Sequence, residues 1–193
     1  MPPKFKFSRE QIVEAGLDIV RQGGWDALTT RSLADALGSS SRPIYSFFSS
    51  MAELEEAIVI RAAEMMRATM LREITGDPWH DHGIGYALFA KEEPRLFRCI
   101  NDEKHIDHCA KYGKEMVWDV LTDSLSDYPP FHGLSERQIY QIQLTRWLFA
   151  HGLAFQLSNP PAGLWNDENV VKVTREGSEA IYDGLIKKFK AGE

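Results

Sequence analysis

Cysteine is nearly missing from this chain. Cys99 and Cys109 are the two in 193 residues, too few for a disulfide framework, so a reducing cytoplasm is the expected compartment. Long apolar runs are missing too. None approaches the roughly 18 residues that a membrane span needs, and the opening MPPKFKFSREQ lacks the apolar core of a signal peptide. No β-strand alternation of useful length occurs, which points to an all-α fold. The signatures of common enzymes are absent as well: no phosphate loop, no H-E-x-x-H and no G-x-S-x-G. The expectation is a protein that is not an enzyme, with no catalytic residues, no resident metal and no cofactor.

Positive charge is scarce overall, since the net charge is −6, but it is unevenly spread. Residues 1–50 carry Lys4, Lys6, Arg9, Arg21, Arg31 and Arg42 against Glu10, Glu14, Asp18, Asp26 and Asp35, a net +1, and the remainder carries −7. Contact with nucleic-acid phosphate needs local rather than global positive charge. A mildly basic head on an acidic body satisfies that condition. Lys4 and Lys6 sit in a Pro-led arm that reads either as a phosphate or minor-groove contact or as a solubilising tail. At 44% hydrophobic and 11% aromatic the composition is that of an ordered globular protein, long enough for one core-bearing domain and a small appended one.

The most informative stretch is LTTRSLADALGSSSRPIYSFFSSMAEL, residues 28–54. Thr29 or Thr30 supplies an N-cap hydroxyl for a short helix with Leu33, Ala34 and Leu37 inward. Gly38 follows where a helix C-terminus tolerates positive φ. Ser39, Ser40 and Ser41 offer N-caps for a second helix, and Pro43, which has no N–H, fits only in its first turn. Two short helices meeting at a Gly-containing turn describe a helix-turn-helix, with the second helix free for the major groove.

Thr30, Leu33 with Ala34, Leu37 with Gly38, Ser40, Ile44 with Tyr45, Phe48, Ser50 and Leu54 together resemble the DNA-binding segment of the TetR family of bacterial transcriptional regulators. The resemblance implies a three-helix DNA-binding head at residues 1–52 and a larger helical effector-binding and dimerisation body at 53–193. A linker helix of residues 51–74 would join them. It implies DNA contacts from Thr30, Arg31, Ser39, Ser40, Ser41, Arg42, Pro43, Tyr45, Ser46 and Phe47. Arg42 suits a bidentate contact to guanine or a phosphate contact, the serines and Tyr45 suit the backbone, and an apolar atom of Pro43 or Phe47 suits a thymine methyl. Leu33, Ala34, Leu37, Ile44 and Phe48 are core. The chain departs from the family pattern twice: Met51 stands where a Lys often contacts phosphate, and Arg42 where a small residue is common.

Capping patterns mark the other helices. Ser8 with Gln11 opens the first one, with Phe7 and Ile12 as a hydrophobic staple, and Gly23-Gly24 stops it. Ser50 with Glu53 reads as a second capping box. TGDP (residues 75–78) ends the linker helix. Helices are expected at about 79–91, 94–101, 103–126, 135–157 (capped by Ser135 and Gln138, with Leu134 and Ile139 as staple) and 167–189.

In the last helix Gly177, Ala180 and Gly184 stack among Val173, Ile181, Leu185 and Phe189. The helix before it carries Ala150, Gly152 and Ala154 beside Trp147 and Phe149. A glycine costs a helix about 1 kcal/mol relative to alanine, so the expectation is close approach to another backbone: a second copy, in a homodimer through the last two helices, or, as the alternative, packing within the monomer. Two other stretches also look like family elements: residues 85–100 and RWLFAHGLA at 146–154. They nominate Tyr86, Phe89, Phe97, Met116, Trp118, Trp147, His151 and Phe155 as the lining of a site for a small hydrophobic or aromatic effector. The resemblance implies a homodimeric repressor that binds a palindromic operator and is released by that effector. The alternative is a helical regulator sensing a metal, redox state or protein partner, for which Cys99, His105, His108 and Cys109 are the cluster to watch.

Overall fold

Every element in the described residues is helical, as the missing strand patterns predict. The computed structural model describes residues 7–102, 118–159 and 165–191. In chain order the helices are α1 (Arg9–Gly23), α2 (Thr30–Ala36), α3 (Arg42–Phe47), α4 (Met51–Met70), α5 (Pro78–Glu92), α6 (Pro94–Ile100), α7 (Asp119–Asp123), α8 (Glu136–Ser158) and α9 (Asp167–Ala191). The chain divides into one unit of Met1–Met65 with Arg95–Lys114 and a second of Met66–Pro94 with Glu115–Glu193.

In the first unit, Ser8 and Gln11 cap α1 reciprocally, at 3.2 Å from the Gln11 N–H to the Ser8 hydroxyl and 2.8 Å in return. The helix ends at Gly24, whose φ of 74° suits a residue without Cβ. Its buried face (Ile12, Leu17, Val20) shares a core with Leu33, Ile44, Phe48, Leu54 and Ile58. Burying each such side chain contributes about 1.5–3 kcal/mol. Gly16 is a glycine for a packing reason: a Cβ there would lie 2.6 Å from Ile58 Cδ1. The Arg61 guanidinium also bonds the Glu14 carboxylate, linking α4 to α1.

In the second unit α5 is the central helix. Asp77 caps it by accepting the Trp79 N–H at 2.9 Å. Every residue from Asp81 to Ala90 is buried, because α5 packs against both α8 and α9. Gly85 permits the crossing of the α4 terminus, since a Cβ would sit 2.3 Å from the Thr69 carbonyl oxygen. Trp79, Leu125, Phe131 and Ile142 form a cluster bordered by Tyr128, Leu134, Ile139, Tyr182, Leu185, Ile186 and Phe189.

Several expectations are corrected. The linker helix stops at Met70 rather than 74. The Asp81 carboxylate accepts the backbone N–H groups of Ile74 at 3.2 Å and Thr75 at 2.8 Å, and the Thr75 hydroxyl at 2.6 Å. Those bonds hold the segment after α4 in a turn. At the start of α4 the Glu53 N–H does reach Ser50 Oγ, at 3.2 Å, but the Glu53 carboxylate returns to Ser49 N–H at 2.7 Å and not to Ser50. Leu185 and Phe189 border the core of their own chain. Gly177 faces Phe149, whose ring carbon would be 2.3 Å from an added Cβ. Much of the face assigned to a second copy is therefore covered within the chain. Of the helix expected at 103–126, residues 103–117 lie outside the described residues and α7 occupies Asp119–Asp123.

Candidate DNA-binding surface

Local signals build the α2–α3 unit. Thr29 caps α2, with Ser32 N–H donating to its hydroxyl at 3.0 Å and Thr29 N–H donating to Ser32 Oγ at 2.9 Å. At the other end Gly38 has φ 56°. Its N–H donates to the Asp35 carbonyl, and the Ser39 N–H donates to the Ala34 carbonyl, both at 3.0 Å. This pair of bonds is a Schellman motif, which satisfies the last carbonyls of α2 and turns the chain sharply. Pro43 sits in the first turn of α3, where no N–H is required. Ser41 is the N-cap residue but makes no side-chain capping bond, unlike the serine cap the sequence suggests.

The orientation of α3 follows from its apolar spacing. Ile44 is fully buried and Phe48 is 1% exposed, so the residues between them face outward. Arg42, Tyr45 and Ser46 are exposed, and Pro43 and Phe47 are half-buried. The Tyr45 hydroxyl lies 3.0 Å from the Thr30 hydroxyl, joining α3 to the first turn of α2. Ser46 Oγ donates to the Arg42 carbonyl at 3.0 Å, so its proton is engaged on its own helix. Ser40 is exposed, and Ser39 and Ser41 are half-buried.

The arginines separate into two groups. Arg21 pairs with Asp18, and Arg61 with Glu14 and Glu64. The Arg9 guanidinium lies 4.8 Å above the Phe48 ring, a contact not anticipated from the sequence. Arg31 and Arg42 are exposed, and no carboxylate among the described residues pairs with them. Two exposed cations without a carboxylate partner, one on α2 and one at the start of α3, are what phosphate and guanine contacts require. Lys4 and Lys6 lie outside the described residues.

The residues nominated for an effector site are only partly gathered. Tyr86 and Phe89 are buried on α5. The Tyr86 hydroxyl is 2.9 Å from His151 Nδ1, and Trp147 stacks on the His151 ring at 5.2 Å. Burial lowers the His151 pKa. Trp118 meets Tyr140 edge-on at 6.2 Å. Phe155 is turned outward, 61% exposed. Tyr140, Trp147, Leu148 and Phe155 recur at seven- and eight-residue spacing, so they form one stripe of α8 on the side away from buried Ile142, Ala150 and Leu157. Phe97 belongs to the first unit, and Met116 lies outside the described residues. A groove of about 530 Å³ lies in the second unit, lined by residues 76–78 and by Ser124, Ser126, Asp127, Tyr128, Pro129 and Pro130, none of them nominated.

Of the soft-ligand cluster, Cys99 is buried and its thiol is pushed up to about 11 by that burial, away from reactive thiolate character. His105, His108 and Cys109 lie outside the described residues. No described helix is long and apolar enough to cross a membrane.

A helix-turn-helix with an exposed, cationic second helix, carried on an all-helical body, defines a class of DNA-binding regulators. Residues 12–58 match the family model of bacterial regulatory proteins of the tetR family. An uncharacterized HTH-type transcriptional regulator of Mycobacterium tuberculosis is 26% identical over 198 residues, spanning 97% of this chain and 82% of that protein. The fold is shared with a TetR-family transcriptional regulator from Thermus thermophilus (TM-score 0.55, 16% identity, 90% of this chain and 97% of that one). It is also shared with a TetR-family regulator from Streptomyces coelicolor (TM-score 0.53, 22% identity, 94% and 96%). A TetR variant from Acinetobacter baumannii in complex with minocycline matches as well (TM-score 0.53, 15% identity, 94% and 98%). Residues 12–58 are thus a DNA-binding segment of the tetR type, in a chain whose fold is shared with TetR-family regulators.

Proposed function

We propose that this regulator is a homodimeric repressor that binds a palindromic DNA operator through α3 and is released by a small hydrophobic or aromatic effector held in the body. The head corresponds to residues 1–52 and the body to 53–193. The observation that carries the reading is the outward face of α3, where Arg42 and Tyr45 stand exposed over a sealed core of Ile44 and Phe48. In this reading Arg42 addresses a base edge. Tyr45, positioned by Thr30, and Arg31 address the backbone, while Ser39, Ser40, Ser41, Pro43, Ser46 and Phe47 complete the contact. The stripe of Tyr140, Trp147, Leu148 and Phe155 on α8, with exposed Ala180 and Gly184 on α9, is the surface for the second copy. Large exposed apolar patches of this kind mark interaction sites. Effector binding favours a state in which α4, whose residues divide between the two units, repositions the heads and breaks their one-turn spacing. The fold supports an effector reading by analogy with the Acinetobacter baumannii protein solved with minocycline.

The test begins by selecting an operator from a random duplex library with the purified full-length protein. Binding of the selected site is then measured by fluorescence anisotropy across salt concentrations. Arg42→Ala is expected to weaken binding by about 1–3 kcal/mol and relax the preference at one base pair. Arg31→Ala is expected to weaken all sequences alike and lower the salt slope by about one. Wild-type affinity and slope in both variants would remove α3 from the interface.

A further inference from the structure

The first turns of α5 hold a concentration of buried polar groups that the DNA-binding role does not use. Arg146, on α8, is 7% exposed. Its guanidinium donates to the Trp79 carbonyl and lies 4.0 Å above the Trp79 ring. No carboxylate among the described residues pairs with it. Asp77 is near enough to act on it through space, yet both Asp77 oxygens are engaged: one accepts the Trp79 N–H at 2.9 Å, the other the Tyr128 hydroxyl at 3.0 Å. A guanidinium has five N–H donors and pairs best with a planar oxyanion. Burying one without a counter-ion is costly unless something compensates it.

Among the described residues four buried side-chain atoms have no hydrogen-bond partner; besides Arg67 Nε on α4 they are Trp79 Nε1, His82 Nδ1 and Thr174 Oγ1. The last three lie at the same turns. Trp79 and His82 are one turn apart on α5, and the Thr174 methyl would lie 3.2 Å from a Cβ at neighbouring Gly83. The role of His82 follows from its other nitrogen. Ser124 Oγ donates to the Leu121 carbonyl at 2.8 Å, so it accepts from His82 Nε2–H at 3.2 Å. His82 Nδ1 is then left with a lone pair. Ser124, which bonds His82, and Tyr128, which bonds Asp77, also line the groove of about 530 Å³.

We propose that Arg146 and the Trp79 indole N–H form an oxyanion-binding site in the body, with the Thr174 hydroxyl as an adjoining donor, and that the effector is an apolar molecule bearing a carboxylate. The inference rests on the effector reading above and narrows it from hydrophobic to anionic and amphiphilic. The carboxylate takes the free edge of the Arg146 guanidinium, whose flat face is already covered by Trp79. Its apolar part lies against the aromatic cluster of Trp79, Phe131 and Tyr128. Groups left unpaired inside a folded chain cluster at functional sites, and here they come from three helices.

The test uses the full-length protein and two matched pairs of probes, phenylacetate with phenylacetamide and octanoate with octanamide, titrated calorimetrically at neutral pH. At least one acid is expected to bind ten-fold or more tightly than its amide. Arg146→Gln is expected to abolish that preference and Arg146→Lys to keep part of it. Should Arg146→Gln fail to fold, as judged by circular dichroism, Trp79→Phe keeps an aromatic six-membered ring and removes the indole N–H together with its five-membered ring. That variant is expected to weaken the acid several-fold and leave the amide unchanged. Acids binding no tighter than their amides, no binding by any probe, or a preference that survives both variants would overturn the oxyanion site. Release of operator DNA, measured in parallel with the same compounds, separates the two readings. Release by the amides with no acid preference leaves the effector reading standing without the anionic site.

Discussion

The two units treat polar groups in opposite ways. In the first, hydrogen-bonding side chains lie at the surface and close short loops onto themselves: Ser8 with Gln11, Thr29 with Ser32, Glu53 with Ser49 and Ser50. Its interior is aliphatic and aromatic. In the second, Asp81, His82, Gln143, Arg146, Thr174 and Ser178 are all buried. An apolar core under reciprocally bonded caps on α1 and α2 holds one shape, which suits a surface that must match DNA. A core containing incompletely paired polar groups is poised to gain from a further partner, which suits a part that must respond to something. The experiments that most directly stress this contrast begin in the apolar core.

Phe48 closes the head from beneath α3 and is 1% exposed, with Arg9 above its ring. Phe48→Ala is expected to destabilise the protein by about 3–5 kcal/mol and to abolish operator binding, although Phe48 points away from the outward face. Calorimetric unfolding with parallel DNA titration checks this. A variant that unfolds as the wild type does would mean that the head does not depend on its sealed interior.

The opposite character of the body shows in its pH response. His82 is lowered to about 4, chiefly by burial and secondly by the Arg146 charge, against the raising influence of Asp81 and Asp77. Its folded pKa lies below the unfolded value of about 6.5, so the unfolded chain takes up a proton first. Stability contributed by neutral His82 is therefore complete above about pH 6.5 and is lost as pH falls toward 4. The full loss is roughly 3 kcal/mol. His151, also lowered by burial, adds in the same direction. Unfolding midpoints in denaturant between pH 7.5 and 4 should show this slope, and His82→Gln should flatten most of it. An unchanged slope in the variant would mean that His82 is not the buried neutral group.

The same contrast explains what could be read in advance. Caps and stops involve residues three to five apart, so Ser8, Thr29, Gly38 and Ser135 announce the helix ends that the structure contains. The outward face of α3 follows from the spacing of Ile44 and Phe48. The end of α4 did not follow, because Asp81 reaches back across the turn to Ile74 and Thr75 from the next helix. The buried cluster was missed for a related reason. Arg146 reads as a surface residue by type, yet it falls four residues from both Ile142 and Ala150, on the buried side of α8. That phase was the available signal. Its partners Trp79 and His82 lie more than sixty residues earlier, and only packing brings them together.

The smallest expected effect concerns two glycines of α9 that look alike in sequence. At Gly177 an added Cβ would fall 2.3 Å from the Phe149 ring, whereas at Gly184 it would meet nothing within 4 Å. Overpacking at the first position is expected to cost about 1–3 kcal/mol, so Gly177→Ala should be less stable at every protein concentration. Gly184→Ala should gain up to about 1 kcal/mol of helix propensity in an isolated chain. If a second copy approaches α9 there, the added methyl meets that copy instead. The gain at high dilution then becomes a weakened association, visible by sedimentation at rising concentration. An alanine at 184 that stabilises equally at all concentrations, with association unchanged, would place the contact between copies on the α8 stripe of Trp147, Leu148 and Phe155 without help from α9. The helical glycine at 184 would then have no packing role in the dimer.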